Sequence, residues 1–510
     1  MDKILVLDFG SQYTQLIARR IRELKVYCEI HPFNLSLSEI QNLAPKGIIL
    51  SGSPASLRFS SPPLPAKEIF NLNIPVLGIC YGMQVIAQAF GGRIKFAPEK
   101  RSTREYGPSL LSITRKEGIF SSLSSPLRVW MSHGDTVSQL PRNFIPLGET
   151  KKIKYAAFAW EEKRIYGVQF HPEVYHTEEG KKIFANFLFK VCACKPEWTM
   201  KDFLARKVKE IREEVGSEKI LCALSGGVDS TVLAYLCQKA VGKNLRCVFI
   251  DTGLLRRGEK EEVKRNLGGV LPIRFINAQK RFLTRLSGIE DPEEKRRVIG
   301  EEFIKIFEEV GKGIRYLAQG TLYPDVIESG SFFGGPSARI KTHHNVGGLP
   351  EKINFRLIEP FRELFKDEVR KLGIILGVKK EVLKRHPFPG PGLAVRILGE
   401  VTEEKLEMLR AIDQILITEL KRSGFYDKVW QAFSLLLPVK SVGVMGDERT
   451  YENVSALRIV TSRDGMTADW ARIPYPILSQ IANRIINEVK GVNRVVYDIS
   501  TKPPATIEWE

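Results

Sequence analysis

Apolar and polar positions change period repeatedly along this chain, and the changes divide it into three regions. In the first, Lys3–Leu7 is a short apolar run that reads as a strand. From Tyr13 to Leu24 the apolar positions Tyr13, Leu16, Ile17, Ile21 and Leu24 fall on one helical face. Gly47–Leu50 and Ile74–Ile79 read as buried strands, Met83–Phe90 as a helix, and Ile165–Phe170 as a later strand ending in His171-Pro172. This order predicts a mainly parallel sheet covered by helices. The second region opens with a charged helical stretch, Lys201 to Glu214, followed by the strand Lys219–Leu224. Ser225-Gly226-Gly227 breaks that strand, a helix buries Val232, Leu233 and Leu236, and Arg246–Ile250 is the next strand. Ligands of such an α/β unit bind at the C-terminal ends of its strands. The third region begins at His386-Pro387-Phe388-Pro389-Gly390-Pro391-Gly392, which predicts a linker or rigid loop. Beyond it, Leu478, Ile481, Ile485, Ile486 and Val489 keep helical spacing, and Val495–Ile499 reads as a strand.

The expected fold is therefore α/β: two doubly wound parallel-sheet domains at 1–195 and 196–385, and a smaller α+β domain at 386–510. The chain has 510 residues, 43% hydrophobic and 27% charged, which excludes a disordered chain, a collagen and a coiled-coil rod. Lys and Arg number 77 against 59 Asp and Glu, a net charge of +18. That surplus favours anionic partners without choosing among nucleotides, nucleic acid and acidic surfaces. No apolar run approaches the ~20 residues of a membrane span, and Met1-Asp2-Lys3 leads straight into a strand rather than a secretory signal. Seven cysteines lie between Cys28 and Cys247, an odd count that fits a reducing cytoplasm rather than a disulfide framework. Cys192 and Cys194 lack a second pair to complete a zinc site and read as structural.

Two constellations carry chemistry. In the first, Gly78-Ile79-Cys80-Tyr81-Gly82-Met83-Gln84 lies between an apolar strand and a helix. A cysteine on such a turn presents its sulfur above the sheet, where the helix N-terminus favours the thiolate. The N–H of Tyr81 then points at the oxyanion formed on attack. Tyr166–Glu173 supplies a base, His171, and a carboxylate, Glu173, placed to fix its tautomer. These residues resemble the class I glutamine amidotransferases, whose Gly-x-Cys-x-Gly-x-Gln is met at Gly78, Cys80, Gly82 and Gln84, and whose His-x-Glu is met at His171 and Glu173. The resemblance implies glutamine hydrolysis through a thioester on Cys80. It also implies a second oxyanion donor in a Ser-Gly-Gly-Pro turn, which here reads Ser51-Gly52-Ser53-Pro54. The donor is then the Ser53 amide, at the cost of strain if that position needs a positive φ.

In the second, Ser225-Gly226-Gly227-Val228-Asp229-Ser230 follows a strand and opens a helix. Its amides and hydroxyls suit an anion, and Asp229 offers an oxygen to Mg²⁺. The hexamer resembles the PP-loop of the ATP pyrophosphatases, which split ATP between the α and β phosphates and adenylate a substrate oxygen. Asp251, in Asp251-Thr252-Gly253, then stands at the adenine or ribose edge.

Taken with His343–Pro350, His386–Gly392 and the tail Lys502–Glu510, the chain is similar throughout to the glutamine-hydrolysing GMP synthetase family. That resemblance implies a homodimer, ATP and Mg²⁺, and contacts to xanthosine monophosphate (XMP) from Arg296, Gln431, Lys502 and Glu508. It implies a lid in the polar loop that carries Lys341, His343 and His344. Glu448 stands where the family usually has glycine. The rival readings are an RNA-modifying PP-loop enzyme, which needs a sulfur-relay thiol such as Cys222 or Cys237, and a non-catalytic binder that keeps the folds. The reading adopted involves no specific nucleic acid and no membrane.

Overall fold

The computed structural model describes residues 1–510 apart from 12, 97–104, 324, 326–354, 446–447, 463–466 and 503. It divides into two compact units, one holding Met1–Asp202 and the other Phe203–Val326 with Lys341–Glu510.

Among the described residues, the first unit is built on a nine-stranded sheet. Its strands are β1 (Lys3–Asp8), β2 (Tyr27–Pro32), β3 (Gly47–Leu50), β4 (Val76–Ile79), β6 (Glu105–Ile113), β7 (Leu127–His133), β9 (Ile145–Glu149), β10 (Ala157–Trp160) and β11 (Ile165–Val168). The short strands β5 (Arg93–Lys95) and β8 (Thr136–Gln139) pair separately. Spatial order is β2-β1-β3-β4-β11-β10-β9-β6-β7. From β2 to β11 neighbours run parallel, and from β11 to β7 they run antiparallel. The parallel half is buried on both faces, so β3, β4 and β11 are wholly buried along their length. The antiparallel half faces solvent on one side, and β7 alternates buried with partly exposed residues. The inner parallel strands β3 and β4 carry the unbroken apolar runs, while β2 at the parallel edge is interrupted by Glu29 and His31.

Chain order reverses between β1 and β3, where a crevice opens at the strands' C-terminal ends. Beside it, β4 turns through Cys80 into the helix Tyr81–Ala89. Gly82 is required here, because a Cβ on it would stand 2.4 Å from the Leu50 carbonyl oxygen at the end of β3.

The second unit contains a parallel five-stranded sheet, β14-β13-β12-β15-β16. These strands are β12 (Ile220–Ala223), β13 (Leu245–Asp251), β14 (Ile273–Asn277), β15 (Tyr316–Ala318) and β16 (Arg356–Ile358). Its order reverses at β12, and the Ser225–Ser230 loop leaves the end of that strand for the helix Val228–Val241. A second sheet follows, with β17 (Gln431–Met445), β18 (Glu448–Thr461), β19 (Asp469–Trp470) and β20 (Val492–Tyr497). Glu448 opens β18 opposite Met445, so the residue that departs from the family glycine begins a strand.

Residues on both sides of 386 share packing. One core runs from Leu221, Val248 and Ile299 through Leu393 to Ile412, Leu457 and Ile481. The Pro/Gly segment enters a 3-10 turn, Gly392–Arg396, within that core. Three cations with fully buried side chains hold the tail. Lys295 Nζ donates to the carbonyls of Ala394 (3.2 Å) and Ile397 (2.7 Å) and to Glu510 (2.8 Å). Arg396 forms a fork on Glu508, and Arg458 pairs with Asp498 and donates to the carbonyls of Ser500 and Thr506. Each buried cation faces at least one carboxylate, as a low-dielectric interior demands, although Nη1 of Arg396 has no hydrogen-bond partner among the described residues. No helix among the described residues is long and apolar enough to cross a membrane.

Candidate active sites

Cys80 sits at φ 53° and ψ −104°, a conformation that L-residues rarely adopt. Its own N–H donates to the Val168 carbonyl (2.8 Å), and that of Gly82 donates to the Ser51 carbonyl (3.1 Å), so the neighbouring strands hold the strained turn. Sγ lies 3.8 Å from the Ser132 carbonyl and 3.6 Å from Gln169 Nε2. His171 and Glu173 are buried, with Nδ1 2.7 Å from a Glu173 oxygen. That contact makes Nδ1 the donor and leaves Nε2 for the sulfur. Burial opposes charge on His171, but the Glu173 carboxylate and Cys80 outweigh it and push the imidazole well above its ordinary value. The pair is suited to an imidazolium beside a thiolate. The Tyr13 ring packs edge-on against His171 at 5.0 Å, and Arg20 fixes the Glu173 carbonyl. Sγ opens on a cavity of about 600 Å³, whose walls include Gly10, Ser53, Tyr81, Gln84, Asp135 and His171.

In the second unit, the Ser225 and Ser230 hydroxyls meet at 2.9 Å, and Gly226 takes φ 78°. The helix Val228–Val241 begins at Gly227 with no side-chain cap, so its first N–H groups are available to an anion. Arg385 Nη1 donates to the Gly226 carbonyl (2.6 Å), and its Nη2 pairs with Glu259, clamping the loop from behind. Asp229 Oδ2 accepts from Lys366 Nζ at 2.7 Å, while Oδ1 is buried without a hydrogen-bond partner among the described residues. A cavity of about 320 Å³ lies over the loop. Val248, Ile250, Phe303 and Leu317 give it apolar walls that suit a purine, and Arg296, Lys366 and Arg385 give it cations. A wider polar cavity of about 940 Å³ beyond Arg385 is lined by charges that largely pair internally, Arg256 with Asp413 and Lys384 with Asp427. The smaller, two-natured cavity is the better nucleotide site.

Known protein families match this chain in three stretches. A class I glutamine amidotransferase family matches residues 5–191, NAD synthase matches 198–261, and the GMP synthase C-terminal domain matches 418–509. The glutamine-hydrolysing GMP synthase of Aquifex aeolicus is 57% identical across 99% of this chain and 99% of its own. This chain belongs to the glutamine-hydrolysing GMP synthase family. The enzyme of the same name from Carboxydothermus hydrogenoformans is 55% identical across 100% of both chains.

The structure brings some of the residues singled out in the sequence together and not others. Cys80, His171 and Glu173 converge, with the Tyr81 N–H at the first turn of the adjoining helix. Ser53 lines the same cavity without a positive φ, so the strain expected of it is absent; its hydroxyl donates to the Phe9 carbonyl at 2.7 Å instead. Ser225, Gly227, Val228, Asp229 and Ser230 line the second cavity, whereas Gly226 contributes the left-handed turn behind it.

Asp251 is buried at the end of β13, where its carboxylate accepts from the Gly253 N–H, Lys260 and Gln279, and its neighbour Thr252 lines the cavity. Arg296 lines the cavity and pairs with Glu293, and Gln431 Nε2 donates to Glu508 at 2.7 Å. Lys502 exchanges backbone hydrogen bonds with Ala468. Lys341, His343 and His344 lie outside the described residues.

Cys222 and Cys237 are fully buried, and burial helps push both thiols up, so neither suits a sulfur relay. Cys192 and Cys194 are buried as expected.

The sequence reading passed over Lys366, Arg385, Arg396 and Gln169. Gln169 had a legible signal, since it stands two positions before His171, the spacing of one strand face. The arginines had none, because nothing in a sequence tells a buried clamp from a solvated charge.

Proposed function

We propose that this chain makes GMP from XMP, with glutamine as nitrogen donor and ATP as activating cosubstrate. The observation that carries the reading is a strained thiol elbow with a buried His–Glu pair, on the same chain as a PP-loop beneath an apolar slot. Cys80 Sγ attacks the glutamine side-chain carbonyl. The N–H groups of Tyr81 and Ser53 hold the oxyanion, and His171 gives its proton to the departing ammonia. His171 then takes a proton from the water that hydrolyses the thioester, releasing glutamate.

At the other site, Ser225, Gly226, Gly227, Val228 and Ser230 cradle the ATP phosphates, with Lys366 beside them. Arg296, Gln431, Lys502 and Glu508 hold XMP, with Glu508 accepting from purine N–H groups. The O2 oxygen of XMP attacks the α-phosphorus and pyrophosphate leaves. Ammonia adds at C2, and AMP departs with the O2 oxygen.

Mg²⁺ fits this site. The buried Oδ1 of Asp229 lacks a partner among the described residues, and Mg²⁺ in phosphate sites takes only one or two carboxylates. The ion would be held by Asp229 and would offset phosphate charge. The reading is tested with XMP labelled with oxygen-18 at O2, which should hand its label to AMP.

We place the enzyme in the cytoplasm as a homodimer, with no specific nucleic acid partner. The surface that supports the dimer is an apolar face on β17 and β18. Val442 and Val444 lie two apart on one strand, Tyr451 pairs with Val442 on the next, and all three are exposed. Val444→Glu should convert a sedimenting dimer into a monomer of 57.7 kDa. A wild-type chain that sediments as a monomer at micromolar concentration would refute the dimer.

A further inference from the structure

Behind Cys80 lies a buried chain of amides whose polarity is fixed from its far end. The Asp135 backbone carbonyl can only accept a hydrogen bond, so the Gln84 group 2.8 Å from it is the NH₂. The same NH₂ has a second hydrogen and donates it to Gln169 Oε1 at 3.4 Å. With its oxygen so engaged, Gln169 turns its own NH₂ to Cys80 Sγ, 3.6 Å away. Gln169 is wholly buried, and its N–H donates to the Ala156 carbonyl, so backbone and amide are both held. The sulfur thus has two distinct neighbours. As a thiol it can donate to the Ser132 carbonyl, 3.8 Å away. As a thiolate it can only accept, and Gln169 is the neutral donor aimed at it. A hydrogen bond to a charged group in a dry interior is worth more than one between neutral groups.

We propose that Gln169 is a catalytic residue of the glutaminase, its amide NH₂ donating to Cys80 Sγ and stabilising the thiolate before attack. This rests on the reading of Cys80 as nucleophile. Gln84 is the positioning residue that fixes the polarity of Gln169. The titratable groups around the sulfur are His171 backed by Glu173, His133 with Glu105 at 3.5 Å, and Asp135 and Arg58 on the cavity wall. His171 stands beside the sulfur, so the alkylation midpoint is read as that of the site and not of one residue. Gln169 changes that midpoint without itself titrating.

The test is the rate of Cys80 alkylation by iodoacetamide against pH, in the full-length chain. Gln169→Met removes the donor and should raise the midpoint by about one pH unit, a loss of about tenfold in thiolate below it. Gln169→Glu replaces the donor with an acceptor and should raise it further. Gln84→Met leaves the donor unfixed and should give a smaller rise; it also reads the effect if the Gln169 variants fail to fold. An unchanged midpoint in folded Gln169→Met, or in Gln84→Met where only that variant folds, overturns the proposal. Glutamine-driven GMP synthesis that survives Cys80→Ser would instead overturn the underlying reading of Cys80, whatever the alkylation midpoint.

Discussion

Cys80→Ala should lower glutamine-driven GMP synthesis by about four orders of magnitude or more, the scale on which loss of a nucleophile acts, while ammonium salt still drives the reaction. The asymmetry follows from where the sulfur stands. Every group that activates it, from His171 and Glu173 to the elbow between β4 and the helix Tyr81–Ala89, lies in the first unit. The PP-loop and its cavity are built entirely from the second. Alanine removes only the sulfur, so the elbow need not rebuild. The measurement is GMP formation with XMP, Mg·ATP and either glutamine or ammonium at pH 8.5, where free ammonia is available. A folded variant that has lost both activities would contradict the division of labour.

Asp229→Ala should have the converse effect: synthesis falls by about a thousandfold with either nitrogen source, while Cys80 still forms a covalent adduct with a glutamine analogue. Two structural facts set the size of the loss. Oδ1 of Asp229 is buried without a hydrogen-bond partner among the described residues, and Oδ2 holds Lys366 at 2.7 Å. On the proposed reading, removing the carboxylate takes away the ligand that would hold the ion and frees the lysine that Asp229 holds. Positioning and charge stabilisation supply nearly all of phosphoryl-transfer catalysis, so little should remain. Pyrophosphate release measures the first half of the prediction, and intact-mass analysis of the adduct measures the second.

The parallel strands were legible in the sequence because burial on both faces leaves unbroken apolar runs, as in Gly47-Ile48-Ile49-Leu50. The antiparallel half of the first sheet was not. β6 reads Glu-Tyr-Gly-Pro-Ser-Leu-Leu-Ser-Ile, with one face in solvent and a Gly-Pro pair that signals a turn. Cys80 and His171 were legible because their chemistry needs rare neighbours at fixed spacing. Asp251 was legible as a strand-end carboxylate, but its engagement by the Gly253 amide, Lys260 and Gln279 was not, because those partners come from the fold. The tail was harder still. Lys295, Arg396 and Arg458 look like surface charges in a chain of net charge +18, yet their side chains are fully buried. Only the fold shows that Arg396 holds the Glu508 carboxylate, with its guanidinium 4.1 Å from the Phe433 ring centroid.

The central claim is that one chain frees nitrogen from glutamine and installs it on a purine oxygen position activated by ATP. The most direct measurement is a single turnover with amide-¹⁵N glutamine and XMP carrying oxygen-18 at O2, read by mass spectrometry. The account predicts GMP with one ¹⁵N and AMP with one oxygen-18. Labelled GMP accompanied by AMP without oxygen-18 would contradict it, as would no GMP at all when ammonium is added.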